Sequence, residues 1–259
     1  MRARAKNCAA RLLTVAILCV LVLAMTLVPW EAQGSTGETE TIEIPYVPNE
    51  GSARRVIVKV TFNGRVTVPM ALDTGAPRTH ISYAVAEKLG ALRSTEGTLA
   101  VSASGIGGSA PAIRTVLESA SIGGAKVQVV PVTVIGELSN AFDGLLGMDL
   151  LADWEITIRS VPPVVVLTRK SSSGDRPAGH DERWWRATFK EFRSYKSVWE
   201  RYRDAVDREI ESGTTVGQRT VALRRQRELA DLQIIEADKL LSRLESYASR
   251  YAVPRHWRR

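Results

Sequence analysis

The triplet Asp73-Thr74-Gly75 is the segment of this chain best suited to chemistry. An acid follows directly on the apolar run Met70-Ala71-Leu72, and a glycine two positions later lets the backbone turn sharply. A carboxylate presented at the end of a strand can take or give a proton when a partner group holds the complementary protonation state. Asp and Gly also favour ordinary turns, so the triplet alone reads as a turn. Other constellations are weaker. His80 and Ser82 suggest a base and a nucleophile, but no G-x-S-x-G elbow accompanies them. Gly105-Ile106-Gly107-Gly108-Ser109-Ala110 fits a dinucleotide fingerprint, yet Pro111 and the β-branched residues after it oppose the helix that such a motif must open. The three histidines lie far apart, and the cysteines are only Cys8 and Cys19. Neither a metal site, a disulfide framework nor a cofactor is expected.

A second feature decides between catalysis and a turn. Downstream of the triplet comes Phe142-Asp143-Gly144-Leu145-Leu146-Gly147-Met148. With Asp73-Thr74-Gly75-Ala76 and a glycine-rich segment between the two, residues 56–167 resemble a retropepsin-like aspartyl protease. The resemblance implies an acid-protease barrel protomer and roles for individual residues. Asp73 would be the catalytic carboxylate, Thr74 would brace the two active-site loops across a two-fold axis, and Gly75 and Ala76 would admit and line the substrate. Gly105, Ile106, Gly107 and Gly108 would form the flap tip over the substrate. Leu145, Leu146 and Gly147 would support the catalytic loop from below. Asp143 and Asp149 would be structural, as turn or helix-cap acids. Pro77 departs from the pattern, since a small polar residue is usual there, and it removes a backbone donor beside the site.

One such triplet per chain implies a homodimer. Two carboxylates held close cannot both ionise, so they share a proton. The ionised member takes a proton from water, which attacks the scissile carbonyl, and the protonated member stabilises the oxyanion. The chain has no second copy, so the dyad needs Asp73 from two protomers. The implied partner is a peptide or protein substrate. The rival reading is a non-catalytic binding or dimerisation module that keeps the barrel as a scaffold at the cell envelope.

The elements that must position these residues are mainly β. Val56, Val58 and Val60 alternate with Ile57, Lys59 and Thr61, and Asn63-Gly64 predicts a hairpin to Val66, Val68 and Met70. Residues 83–89 read as a short helix capped by Gly90. Strands are expected at 99–101, 112–117, 126–135, 154–158 and 164–167, separated by turns at Gly105–Gly108 and Gly123-Gly124. After residue 168 the period changes. Trp185, Phe189, Phe192, Trp199, Tyr202, Val206 and Ile210 mark one face of a helix ending at Gly213. Thr215 and Gln218 form a capping box for a second helix, with Leu229, Leu232, Leu240, Leu244, Tyr247 and Tyr251 on its apolar face.

The fold expected is therefore a retropepsin-like barrel protomer followed by a C-terminal α-helical hairpin. Its parts are a signal peptide or membrane anchor at 1–34, a linker at 35–53, the protease domain at 54–168, a linker at 169–180 and a basic hairpin at 181–259. Net charge follows the same division, being +3 over 1–34, −3 over 35–167 and +7 over 168–259. Signs alternate along the hairpin, which reads as a solvated face, and nucleic acid is not an expected partner. Deleting it should leave some activity, because both motifs lie in the barrel.

Arg2, Arg4, Lys6 and Arg11 precede an uncharged run over residues 12–28, an export signal that places the rest outside the cytoplasm. Seventeen helical residues span roughly 26 Å, just short of a ~30 Å hydrocarbon core. Cleavage after Gly34 and retention as a membrane anchor both remain open.

Overall fold

The structure, a computed structural model, describes residues 40–48, 55–93, 97–105, 108–136, 138–170, 174–213 and 216–259. The export signal over 12–28, the flap-tip residues Ile106 and Gly107, and the capping residue Thr215 lie outside them.

The strands are β1 (Thr41–Pro45), β2 (Val47–Pro48), β3 (Val56–Phe62), β4 (Val66–Leu72), β5 (His80–Ser82), β6 (Leu99–Gly105), β7 (Gly108–Ile122), β8 (Ala125–Ile135), β9 (Gly144–Leu146), β10 (Trp154–Ser160) and β11 (Pro163–Arg169). The helices are α1 (Tyr83–Leu89), α2 (Met148–Leu151), α3 (Glu182–Glu211) and α4 (Gln218–Arg250).

Eight strands pair in the order β2-β3-β4-β9-β5-β8-β7-β6, and β3 also pairs with β7. The six strands from β3 through β4, β9, β5 and β8 to β7 thus close on themselves as a barrel. β6 lies outside the ring and makes a hairpin arm with the first half of β7, in register from Leu99↔Arg114 to Gly105↔Gly108. A separate sheet, β1-β11-β10, completes the β portion.

Local chemistry accounts for the connections. Asn63 and Gly64 take φ of 51° and 66°, and the Arg65 N–H donates to the Phe62 carbonyl, as a primed turn between twisted strands requires. Ser82 caps α1 by accepting from the Val85 N–H at 3.3 Å, and Gly90 ends it in the left-handed region.

Among the described residues, strands β7 and β8 belong to both of the larger apolar clusters. Leu117 and Val130 face the barrel interior with Phe62, Met70, Ile81 and Leu146. Their neighbours Val116 and Val129 face the other way and pack, with Leu99, on Trp185, Phe189, Phe192, Leu240 and Leu244. The helical pair thus shares its core with the barrel. This departs from the expected division into barrel, linker and separate hairpin, because the outer face of β7–β8 is itself apolar and must be covered.

Three further expectations are corrected. The supposed linker at 35–53 contains β1, which pairs with β11 through Ile44↔Val165, because Ile42, Ile44 and Tyr46 alternate with polar neighbours and turn inward. The linker at 169–180 is packed where it is described. Arg176 pairs with Asp153, and the Trp185 Nε1–H donates to the Pro177 carbonyl at 3.1 Å. On α4, Leu229 and Leu232 are 46% and 58% exposed, whereas Leu223, Ala230 and Ala237 are buried against the core. Small alanines let the two helices approach closely, which turns those leucines outward.

Candidate active site

β4 carries the chain to Asp73 and β9 fixes where it stops. The two strands run parallel, with Ala71↔Leu145 and Leu72↔Leu146. The ladder continues one step past the strand, where the Asp73 N–H donates to the Leu146 carbonyl at 3.0 Å. The Asp73 side chain is half-buried, and its Oδ1 accepts from the Gly75 N–H at 2.9 Å. Thr74 and Gly75 are exposed and Ala76 is buried. The Ala76 N–H returns to the Asp73 carbonyl, and the Ala76 carbonyl accepts from the Met148 N–H at 2.8 Å. A carboxylate is thus held at a tight turn whose backbone groups are bonded on both sides despite Pro77.

Asp149 and Thr79 lock the far side of the loop, a pairing that sequence reasoning missed. The Asp149 carboxylate accepts from the Thr79 N–H at 2.9 Å and from its hydroxyl at 2.6 Å. The Thr79 Oγ1 in turn accepts from the Gly147 N–H at 3.2 Å. Burial pushes the Asp149 carboxyl above its ordinary value, against the two Thr79 bonds and the nearby Arg114. Asp149 lies in the first turn of α2, but its side chain does not cap that helix. It is a clamp on the loop six positions past Asp73. Asp143 acts through its backbone, donating to the Pro69 carbonyl and accepting from the Ser82 N–H.

The glycines of the second motif have a steric reason. A Cβ at Gly144 would fall on the His80 carbonyl, and one at Gly147 on the Arg78 carbonyl. β9 passes so close under the 78–80 segment that only glycine fits at both ends of Gly144-Leu145-Leu146-Gly147. His80 and Ser82 serve β5 and the α1 cap. Burial lowers the His80 pKa, and its Nδ1 has no hydrogen-bond partner. Gly105 and Gly108 of the expected flap end β6 and begin β7, with the Ser104 and Ser109 hydroxyls bonded between the two strands at 2.8 Å.

α3 reaches this loop from the other side. The Glu191 Oε1 accepts from the Tyr195 hydroxyl at 2.6 Å and pairs with Arg78 and with the almost fully buried Arg114, each at 3.2 Å. Burial, reinforced by Glu191, raises the Tyr195 pKa to about 12. Arg78 lies on the Asp73 loop, five positions after Asp73. Among the described residues, no group of three or more His, Cys, Asp or Glu side chains comes together to hold a metal.

Residues 58–150 match the family model described as aspartyl protease. That segment is similar to the aspartyl protease family. Among solved structures the chain is similar to a retropepsin-like aspartic protease from Rickettsia conorii, at 25% identity over 51% of this chain and 93% of that one, with a TM-score of 0.40. No curated protein matches the chain. The matched segment runs from β3 through α2. It includes Asp73, the flap hairpin and the Gly144–Gly147 support, while α3 and α4 lie beyond it.

Proposed function

We propose that the chain is an aspartic endopeptidase that acts as a homodimer outside the cytoplasm. The observation that carries this reading is the Asp73 loop, a half-buried carboxylate fixed by Leu146 beside an exposed Thr74-Gly75 edge. Each chain supplies one such carboxylate, so two protomers meeting at this edge assemble the pair. The pair shares one proton. The ionised Asp73 draws a proton from water as it attacks the peptide carbonyl, and the protonated partner donates to the developing oxyanion. Thr74 braces the two loops, Gly75 and Ala76 line the scissile segment, and the flap at Gly105–Gly108 closes over it. Export rests on Arg2, Arg4, Lys6 and Arg11 before the uncharged run at 12–28, which either is removed or holds the protein at the membrane.

The test compares the full chain with Asp73→Asn on an unstructured protein substrate across a concentration series. Wild type should cleave, with specific activity rising as protomers associate. The variant, nearly isosteric, should sediment as a dimer and cleave nothing. Proteolysis by purified Asp73→Asn would remove Asp73 from the chemistry. Full specific activity at concentrations where the chain sediments as a monomer would remove the dimer.

A further inference from the structure

A cavity of about 660 Å³ opens between the flap arm and α3. Its walls include Arg78, Val101 and Ser102 on one side and Tyr195, Val198 and Trp199 of α3 on the other. That volume falls within the ~300–1,000 Å³ range of sites that take small molecules or side chains. Resting on the proposed proteolytic function, we infer that α3 builds a specificity subsite for a bulky apolar side chain of the peptide substrate.

Three observations point to a substrate residue as the occupant. First, the groove borders the elements that frame the site, since Arg78 follows Asp73 on the same loop and Val101 and Ser102 belong to the flap arm. Second, its helical wall is apolar where it is open. Val198 is 50% exposed, and Trp199, only partly buried, stacks edge-on against Tyr202. The one charged residue in its lining, Arg78, already pairs with Glu191 at 3.2 Å, so the groove favours an uncharged apolar group.

Third, the neighbouring strand edge is laid out for an extended chain. β6 is the outermost strand of its sheet. The Ala100 N–H points away from β7 and donates to the Gln233 side chain of α4, and the Thr98 N–H donates to Glu236. The antiparallel alternation that sends the Ala100 N–H outward does the same at Ser102 and Ser104, further along the arm. A peptide adding to that edge gains main-chain hydrogen bonds and drops alternate side chains toward the groove. In the homodimer the groove occurs twice, so the preference recurs on both sides of the scissile bond.

The experiment uses the full chain and octapeptides whose central bond is a reduced amide, so that binding is read without cleavage. Each position is scanned with Phe, Leu, Ala and Lys. Wild type should show a position where Phe or Leu binds roughly tenfold or more tighter than Ala. Val198→Asp should collapse that ratio and bring Lys up at the same position, a gain that general loosening of the fold would not produce. Val198→Trp, which fills the groove, should shift the preference there toward Ala. Absence of an apolar preference in wild type, or its persistence unchanged in both variants, would overturn the subsite. The matching ordinary peptides are tested for cleavage in parallel. Selective binding without Asp73-dependent cleavage would leave the subsite standing and remove the protease reading. Cleavage without positional preference would do the reverse.

Discussion

Glu191 couples the helical pair to the Asp73 loop through Arg78 and Arg114, and Glu191→Gln measures that coupling. The substitution keeps size and an acceptor oxygen but deletes the charge facing Arg114 and Arg78. The Arg114 side chain is only 3% exposed, so it cannot turn to water when its counter-charge is lost. Removing one partner of a fully buried pair costs about 3–5 kcal/mol. Here the figure is smaller, because the Glu191 side chain is 23% exposed and Asp149 still lies within electrostatic reach of Arg114. About 2 kcal/mol is expected, which at ~2–4 °C per kcal/mol for a chain of this size lowers Tm by roughly 4–8 °C. Thermal and urea unfolding of the full chain give the number. The companion double variant Glu191→Gln/Arg114→Met removes the stranded charge and fills its volume with an apolar chain. It should recover most of the loss, since well-packed apolar replacements of buried pairs are neutral or stabilising. A single variant within about 0.5 kcal/mol of wild type, the usual scatter of surface substitutions, or a double variant no better than the single, would refute the reasoning.

Two other outcomes follow from the same junction. His180 is buried, stacks on Trp184 at 3.5 Å, and bonds through Nε2 to the carbonyls of Gln128 and Val129, so burial lowers its pKa to about 4. Above pH 6.5 it is neutral in both folded and unfolded chains; as pH falls from 6.5 to 4 only the unfolded chain takes the proton, and stability drops by about 3 kcal/mol in total. Asp149 acts in the opposite sense, its raised pKa favouring the folded state on the acid side, so the check is the difference between wild type and His180→Gln in urea titrations from pH 7 to pH 4, which should close as pH falls. Deletion of everything after Lys170 uncovers Leu99, Val116 and Val129, each 0% exposed, and leaves Arg114 without Glu191. It should yield protein that aggregates or melts without a cooperative transition, and a truncation that melts cooperatively would show that the barrel does not need the shared core.

The barrel was readable because its signals are local. Alternation in β3 and β4, the Asn63-Gly64 turn, the Gly90 cap and the two motifs each act within a few residues, so spacing alone locates them. The junction was less readable because its signals are tertiary. The run Val129-Val130-Pro131-Val132-Thr133-Val134 breaks the alternation expected of a strand with one wet face, and that break is the mark of a strand covered on both. Ile42 and Ile44 signalled β1, but the Gly, Thr, Glu and Pro around them masked the pattern. On α4 the choice between Leu229/Leu232 and Ala230/Ala237 turned on how closely α3 approaches. Residue hydrophobicity favours the leucines, and interhelical distance favours the alanines. The Asp149–Thr79 clamp joins residues seventy positions apart, beyond any local period.

The shared core also bears on how a dimer is reached. The aromatic face of α3 is not open to a second copy, because Trp185, Phe189 and Phe192 are already buried against β7, β8 and α4 within one chain. That face is spent on covering the outer side of the barrel. Thr74 and Gly75, on the opposite account, remain exposed beside Asp73. The longest apolar stripe left on the helical pair is a different one, Val221, Leu229, Leu232 and Ile235 on α4, each more than 45% exposed. These positions follow the helical period on the side turned away from Ala230 and Ala237. Self-association that depends on the helices has that stripe to work through, beside the exposed Val198 and Tyr202 of α3. Self-association that depends on the catalytic edge needs the helices only to keep the Asp73 loop in place through Glu191 and Arg78.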